Sequence, residues 1–587
     1  MHLKRVGIWR NIIQIILHKS FIIKKDSMDK NRCLLLLPTI ALTLSSCSIL
    51  ERFFSKPVND NNREVTCKYI PIVNKATEDY TIYGEDVQIF NIGESDVPYV
   101  DILNFIKSFD GFFDRSNVRY SIDERGNFLT LTCKDTANIN INWKENTIKT
   151  SVYYAFEYYA NSPSGTSYTD FITSEREYSS GGASFKVDLD NYHFDILYYK
   201  GKCLLPLCIV NALFCSTSYF NVFYNEEKCF ATYGETSNLE EYYQTEKNQQ
   251  IQSEDMRKAA FYSLLFTFNY LYGLKSHKGY NDGFKKHLSN EVIELINSID
   301  SLDNFVAYKQ IVYSMLDELH TRIDMPSYYC DPNVAKVTSD DYGEFWNTFY
   351  STRTQQKSLR AGGTENVRYV DNLAIITFDS FKTGTRNELF SDGHLRDDAW
   401  KYDTYYFMRK CMEEIKTHTN VTNILIDLSL NGGGNVAAMI RALGFITDKN
   451  INYNVYDTLA DYYSIQSFKV DTDGDGSYTN DSYDTYKWSL LTGVNTFSAA
   501  NLFTSIFREM NLGKIYGQRS GGGMCAIMPI VLADGTAITI SSPMSFRMVK
   551  KENGKRVFYA IENGIVPNTT IEYSDFYNDL VLAEQIL

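Results

Sequence analysis

Three short stretches carry residue types that can do covalent chemistry. The first runs Ile426-Asp427-Leu428-Ser429-Leu430-Asn431-Gly432-Gly433-Gly434-Asn435. An apolar strand ends there in three glycines, and a helix is expected from about Val436 to Leu443. Without a Cβ, such a turn can present backbone N–H groups to an anion, either a phosphate or the oxyanion of acyl transfer. It lacks the Gly-Lys-Ser/Thr of a phosphate loop and the Gly-x-Gly-x-x-Gly of a dinucleotide site. The second stretch is Thr496-Phe497-Ser498-Ala499-Ala500-Asn501-Leu502-Phe503, where Ser498 opens an amphipathic helix and the Ala499 N–H is free to donate. The third, Leu316-Asp317-Glu318-Leu319-His320-Thr321-Arg322, puts His320 at the end of a periodic helical segment. Each has a plain alternative: a tight structural turn, a serine N-cap, and a surface histidine at a helix C-terminus.

A fourth stretch could hold a metal. Asp471-Thr472-Asp473-Gly474-Asp475-Gly476-Ser477 matches the opening of an EF-hand loop, with oxygens at alternate positions and a glycine at the turn. The closing Glu is missing; the twelfth position is Ser482, with Asp481 and Asp484 nearby. Asp471, Asp473, Asp475 and Ser477 are the candidate calcium ligands, in a structural role. The other reading is an acidic surface loop.

The elements that must position these residues follow from periodicity. Residues 254–321 show helical spacing in Ala259 to Leu265, Val292 to Ile296 and Phe305 to Leu316. From about Val367 strands and helices alternate, as in an α/β domain. Asn423 to Leu428 is a continuous apolar run, as buried strands are. Ile530 to Leu532 and Ala537 to Ile540 flank Asp534-Gly535, a hairpin signal. The front, from about Cys67 to Ala231, reads as short strands, with a turn at Arg125-Gly126-Asn127. Val97 to Leu103 and Leu205 to Asn211 echo each other, each an extended segment feeding a short apolar helix. This faintly resembles the small repeats of copper-amine-oxidase N-terminal-like domains; two ordinary strand-to-helix turns are the alternative.

Charge and the N-terminus bound the setting. The chain has 587 residues, with 58 Lys/Arg against 72 Asp/Glu, and a net charge of −14 argues against nucleic-acid binding. No internal apolar run reaches the ~18 residues of a membrane span. From Met28, Lys30 and Arg32 precede the apolar stretch Cys33 to Leu44, which has signal-peptide length. Leu44-Ser45-Ser46-Cys47 resembles the bacterial lipobox, which implies lipidation at Cys47 and anchoring at the extracytoplasmic face of a bacterial membrane. Met28 is the expected start, residues 1–46 a discarded leader and 47–66 a tether. Loss of the leader leaves 50 basic and 70 acidic residues, a charge of −20. The chain contains no C-x-x-C pair, and Cys203, Cys208, Cys215 and Cys229 read mainly as small buried apolar residues that could include a disulfide.

Together the three chemical stretches resemble the tail-specific (C-terminal-processing) serine peptidase superfamily, nearer its tricorn-core and retinoid-binding-protein-like branch. The likeness rests on His320-Thr321, Ile426 to Gly434, Phe497 to Ala500, Gly517 to Gly523 and Glu562-Asn563-Gly564-Ile565-Val566-Pro567-Asn568, in the family's order and spanning about residues 254–587. It implies an α/β peptidase core over 335–587, of the crotonase/ClpP-like βαβ sandwich type. A helical segment at 254–330 ends in the catalytic histidine, and a separate β-rich (α+β) domain at 67–245 precedes it. It further implies Ser498 as nucleophile, His320 as base, Glu562 as its support, and the Gly433 and Ala499 N–H groups as the oxyanion hole. No cofactor is required, and the partners are a peptide or protein substrate and the membrane, not nucleic acid. Where the tricorn-type site has a Ser before its His, this chain has Leu319. Any relay from Glu562 must therefore use another group, such as Thr321. No lysine stands at Gly521 to Gly523, which disfavours a Ser/Lys dyad. The competing class is a catalytically idle homologue that binds peptides or ligands as a surface lipoprotein.

Overall fold

The structure is a computed structural model that describes residues 63–587 other than 78, 134–136, 151–155, 157–174, 180–184, 235–238, 361–365 and 460. The expected leader, the Met28 start, Cys47 and most of the tether lie outside the described residues. Among those described, no helix is long and apolar enough to cross a membrane.

The front half builds two sheets. In the larger, of seven strands, Val65–Asn74 pairs antiparallel with Asp86–Ile92 and parallel with Cys229–Tyr233. The two echoing segments meet in this sheet. Tyr99–Asp101 runs into helix Ile102–Ser108, Lys202–Pro206 runs into helix Leu207–Phe214, and the two strands pair antiparallel. Asp101 serves both units, accepting from Asn104 N at its own helix start and from Cys203 N across the sheet. The second sheet is a five-stranded antiparallel run from Val118–Asp123 to Phe185–Asp188, and its first hairpin turns through Asn127 at φ +63°. Cys203, Cys208, Cys215 and Cys229 are buried free thiols, so no disulfide joins them.

Helix Glu254–Phe266 starts where Ser253 caps Met256 N, with Glu254 and Asp255 in its first turn. Helix Ser301–Lys309 widens into π turns over Gln310–Leu316 and stops there. The expected helix through His320 is therefore cut short. Asp317 adopts the left-handed region, φ +41°, and its carboxylate accepts from Phe345 N (2.9 Å) and Trp346 N (3.2 Å). It caps helix Glu344–Leu359, and that tertiary capping outweighs continuation of its own helix. His320 thus lies in the turn before strand Arg322–Met325.

The rear is α/β. A six-stranded sheet runs in the order Val367–Val370, Leu373–Thr377, Asn423–Asp427, Lys487–Thr492, Gly513–Gly517, Thr569–Thr570, and every pairing but the first is parallel. Alternate residues of the central strand serve opposite faces. Ile424 and Ile426 join the core with helices Thr404–Ile415, Val436–Gly444 and Ala499–Glu509, while Leu425 joins Phe576 and Leu582 of the C-terminal segment. Burial on both faces is why this strand reads as an unbroken apolar run. A second sheet centres on the long strand Ala537–Glu552, which pairs with Arg322–Met325, Ile451–Asp457, Cys525–Val531 and Lys555–Ala560. Strand Tyr462–Phe468 pairs with Ile451–Asp457 on one side and with Glu175–Ser179, the edge strand, on the other. The β-rich half thus keeps its own two sheets and lends one strand to the rear. Phe223 and Phe230 also pack with Tyr328 and Val531 across the boundary.

Candidate active site

Ser498 sits where strand Lys487–Thr492 turns into helix Ala499–Glu509, and the turn is tied at each step. Thr496 Oγ1 donates to Leu428 O (2.7 Å), Phe497 N to Asn431 O (3.1 Å) and Ser498 N to Gly522 O (2.9 Å). Ser498 occupies the N-cap position at φ +57°, ψ −122°, and its side chain makes no capping hydrogen bond. An ordinary Ser cap has extended backbone and accepts from the helix with its hydroxyl. Here a non-glycine residue is held in a strained conformation, at a cost of roughly 1–3 kcal/mol, and the hydroxyl is left uncommitted. Sequence alone left a plain N-cap open; this geometry argues against it.

The glycine turn after Asp427 abuts the serine. A Cβ built on Gly433, at φ +103°, would lie 2.7 Å from Ser498 Cβ and 2.9 Å from Ala499 N, so only glycine fits. The Ala499 N–H makes no hydrogen bond among the described residues, as an oxyanion donor requires. The Gly433 N–H, the other predicted donor, is engaged by Asn431 Oδ1 at 2.9 Å. Within the same turn the Gly434 N–H is the one left without a partner among the described residues.

His320 approaches from the other side. A Cβ on Gly523 would lie 3.1 Å from His320 Cε1, and the imidazole packs on Phe497, ring centroids 4.7 Å apart. His320 and Ser498 line one cavity of about 600 Å3, together with Leu319, Phe349, Ala499, Ala526 and Phe546. No hydrogen bond links the two side chains, and His320 Nδ1 is buried without a partner. Burial, then the Arg322 guanidinium, push the imidazole down to about 3, so it is neutral at pH 7. Neutral is the form that can take a proton from a hydroxyl.

Buried Glu318 holds the His320 turn, and half-buried Glu562 repels Glu318; sequence reasoning found only the second. Glu562 accepts from Met524 N at 2.8 Å. Burial first, and then repulsion from Glu318, push its carboxyl up to about 7. Glu318, 2% exposed, accepts from His320 N at 2.7 Å and from the Thr321 hydroxyl. The Thr321 hydroxyl, the expected relay from Glu562, is therefore spent on Glu318, and no hydrogen bond joins Glu562 to His320. The sequence signal for Glu318 was its position two before the histidine, obscured by the expectation of continuous helix. Elsewhere, Asp471, Asp473 and Asp475 converge, with one carboxylate oxygen of each within 4.8 Å of the others. Ser477 Oγ turns to Thr479 Oγ1 at 2.9 Å.

Residues 372–569 match the family model described as peptidase family S41. Over this third of the chain, the sequence is similar to that peptidase family. The stretch contains Ser498, the Gly432–Gly434 turn and Glu562, while His320 is supplied from outside the matched range. Among solved structures, a photosystem II D1 C-terminal processing protease is similar at 17% identity, over 34% of this chain and 42% of its own length, with a TM-score of 0.24. A candidate peptidase from Parabacteroides merdae is similar at 15% identity, over 57% of this chain and 98% of its own, with a TM-score of 0.39. The tricorn protease is similar at 17% identity, over 41% and 19%, with a TM-score of 0.21. The chain thus spans less than half of the first and third of these proteins. No curated protein matches the chain.

Proposed function

We propose that this protein cleaves peptides or protein tails through an acyl-enzyme, from the extracytoplasmic face of a bacterial membrane to which lipidated Cys47 tethers it. The observation that carries the reaction is the uncommitted Ser498 hydroxyl, held strained at a helix start in the cavity it shares with His320. The hydroxyl attacks the scissile carbonyl as neutral His320 takes its proton. The oxyanion forms beside the free Ala499 N–H at the positive end of helix Ala499–Glu509, with the Gly432–Gly434 turn as the second wall. His320 then passes its proton to the leaving amine, and water repeats the sequence to release the acyl group. Glu318 accepts from the His320 N–H and so fixes the turn that carries the imidazole. The anchor rests on the Leu44 to Cys47 motif alone, and mass spectrometry of a membrane fraction would show the acylated Cys47 peptide.

One observation favours the idle homologue: the buried His320 Nδ1 lacks the carboxylate partner that normally fixes a catalytic histidine. Labelling with a fluorophosphonate probe decides. Wild type should label and Ser498→Ala should not. Absence of wild-type labelling, or equal labelling of the variant, sinks the peptidase assignment.

A further inference from the structure

The loop between strands Tyr462–Phe468 and Lys487–Thr492 plays no part in the hydrolysis, yet it gathers three carboxylates, with a fourth, Asp481, hydrogen-bonded to the backbone of Thr472 beside them. One oxygen from each of Asp471, Asp473 and Asp475 lies within 4.8 Å of the others. Ligands at 2.3–2.6 Å from a single calcium ion are at most about 5 Å apart, so the three fit one ion. The loop is wound for this. Asp471 is fully buried and accepts from Gly474 N (2.6 Å) and Gly476 N (2.8 Å), which wraps the backbone around its carboxylate.

Sequence spacing left the loop without a closing ligand at Ser482. The structure puts a carboxylate one position earlier. Asp481 is 6% exposed, and its Oδ1 accepts from Thr472 N at 2.8 Å, beside Asp471. Its Oδ2 is buried with no hydrogen-bond partner. The charges bearing on it are those of Asp471, Asp473 and Asp448, all negative. Among the described residues no Lys or Arg forms a salt bridge with any of these loop carboxylates; the nearby Arg409 guanidinium pairs with Glu413. A buried, unpartnered carboxylate oxygen among like charges calls for a cation.

We infer that Asp471, Asp473, Asp475 and Asp481 bind one calcium ion, with Asp481 as the closing ligand. All-oxygen donors, mostly carboxylate, on a flexible loop suit calcium rather than a transition metal. The ion neutralises the cluster and fixes the entry to strand Lys487–Thr492, whose far end delivers Ser498. The site stands whether or not Ser498 is a nucleophile.

The test uses the full chain stripped with EDTA and titrated with calcium chloride in a calorimeter, alongside thermal unfolding in calcium and in EDTA. Wild type should bind one ion per chain and unfold at a higher temperature in calcium. Asp481→Asn keeps an acceptor for the Thr472 N–H but drops the charge, and should weaken binding roughly tenfold or more. Asp475→Asn, at an exposed position, should do the same without threatening the fold. Absence of binding heat with equal unfolding temperatures in calcium and EDTA would overturn the site. Wild-type affinity in Asp481→Asn would overturn the closing ligand, and magnesium binding as tight as calcium would overturn the choice of ion.

Discussion

Replacing Glu562 by Gln probes its repulsion with buried Glu318. Gln keeps an oxygen for the Met524 N–H and removes the charge. The Glu562 carboxyl is raised from 4.5 to about 7. At about 1.4 kcal/mol per pKa unit, that places roughly 3 kcal/mol on the ionised form. Glu562 retains partial solvent contact, which trims the figure to about 2 kcal/mol. The sign follows from linkage. A carboxyl raised in the folded state holds its proton more tightly there than when unfolded. Its contribution to stability is therefore present below pH 4.5 and lost as pH rises through about 7. Glu562→Gln should escape that loss, so the variant should gain about 2 kcal/mol on wild type between pH 4.5 and about pH 8. Relief of Glu318, itself raised by burial, adds in the same direction. His320 titrates oppositely: its imidazole is depressed, so its contribution is lost as pH falls from 6.5 towards 3. It is common to both proteins and cancels in the difference. Urea unfolding of both across this range is the measurement. A difference constant to within about 0.5 kcal/mol would mean that Glu562 is not held in a repulsive, desolvated pair, and the reasoning fails.

His320→Ala should lose hydrolysis by a factor on the order of 10³ or more with its circular dichroism unchanged, and near-normal turnover would remove it from the mechanism. The acid limb of kcat/KM should fall well below pH 6.5, because burial keeps His320 neutral down to about 3; a limb at or above 6.5 in a pH–rate profile would show an anionic partner raising it. Gly433→Ala would force a Cβ to 2.7 Å from Ser498 Cβ at φ +103°. Turnover should drop about 10²-fold, with ~1–3 kcal/mol lost in denaturant unfolding, and wild-type kinetics would contradict the packing of the glycine turn on the nucleophile.

Much of the site was legible because its signals are local. The Asn423–Asp427 strand, the glycine turn and the helix behind Ser498 each declare themselves within ten residues of sequence, through burial, absent side chains and helical period. What stayed hidden depends on partners distant in the chain. The helix before His320 stops because Asp317 is recruited to cap residues 28 and 29 positions later, and only that break frees Glu318 to hold the histidine turn. The engagement of the Gly433 N–H by Asn431 is a rotamer choice that no spacing rule encodes. The calcium loop hid its last ligand because Asp481 folds back on Thr472, off the register of the motif.

The pairing of Glu175–Ser179 with Tyr462–Phe468 has a consequence for how this chain can be divided. A fragment beginning at residue 254 would hold Ser498, His320 and Glu562, yet would present the unpaired N–H and C=O groups of Tyr462–Phe468 as an open sheet edge. Such an edge recruits other strands. Excising the front half should therefore yield a protein that self-associates through that edge, where an autonomous peptidase domain would stay monomeric. Nicking between 179 and 254 should leave the two pieces clamped together until denatured.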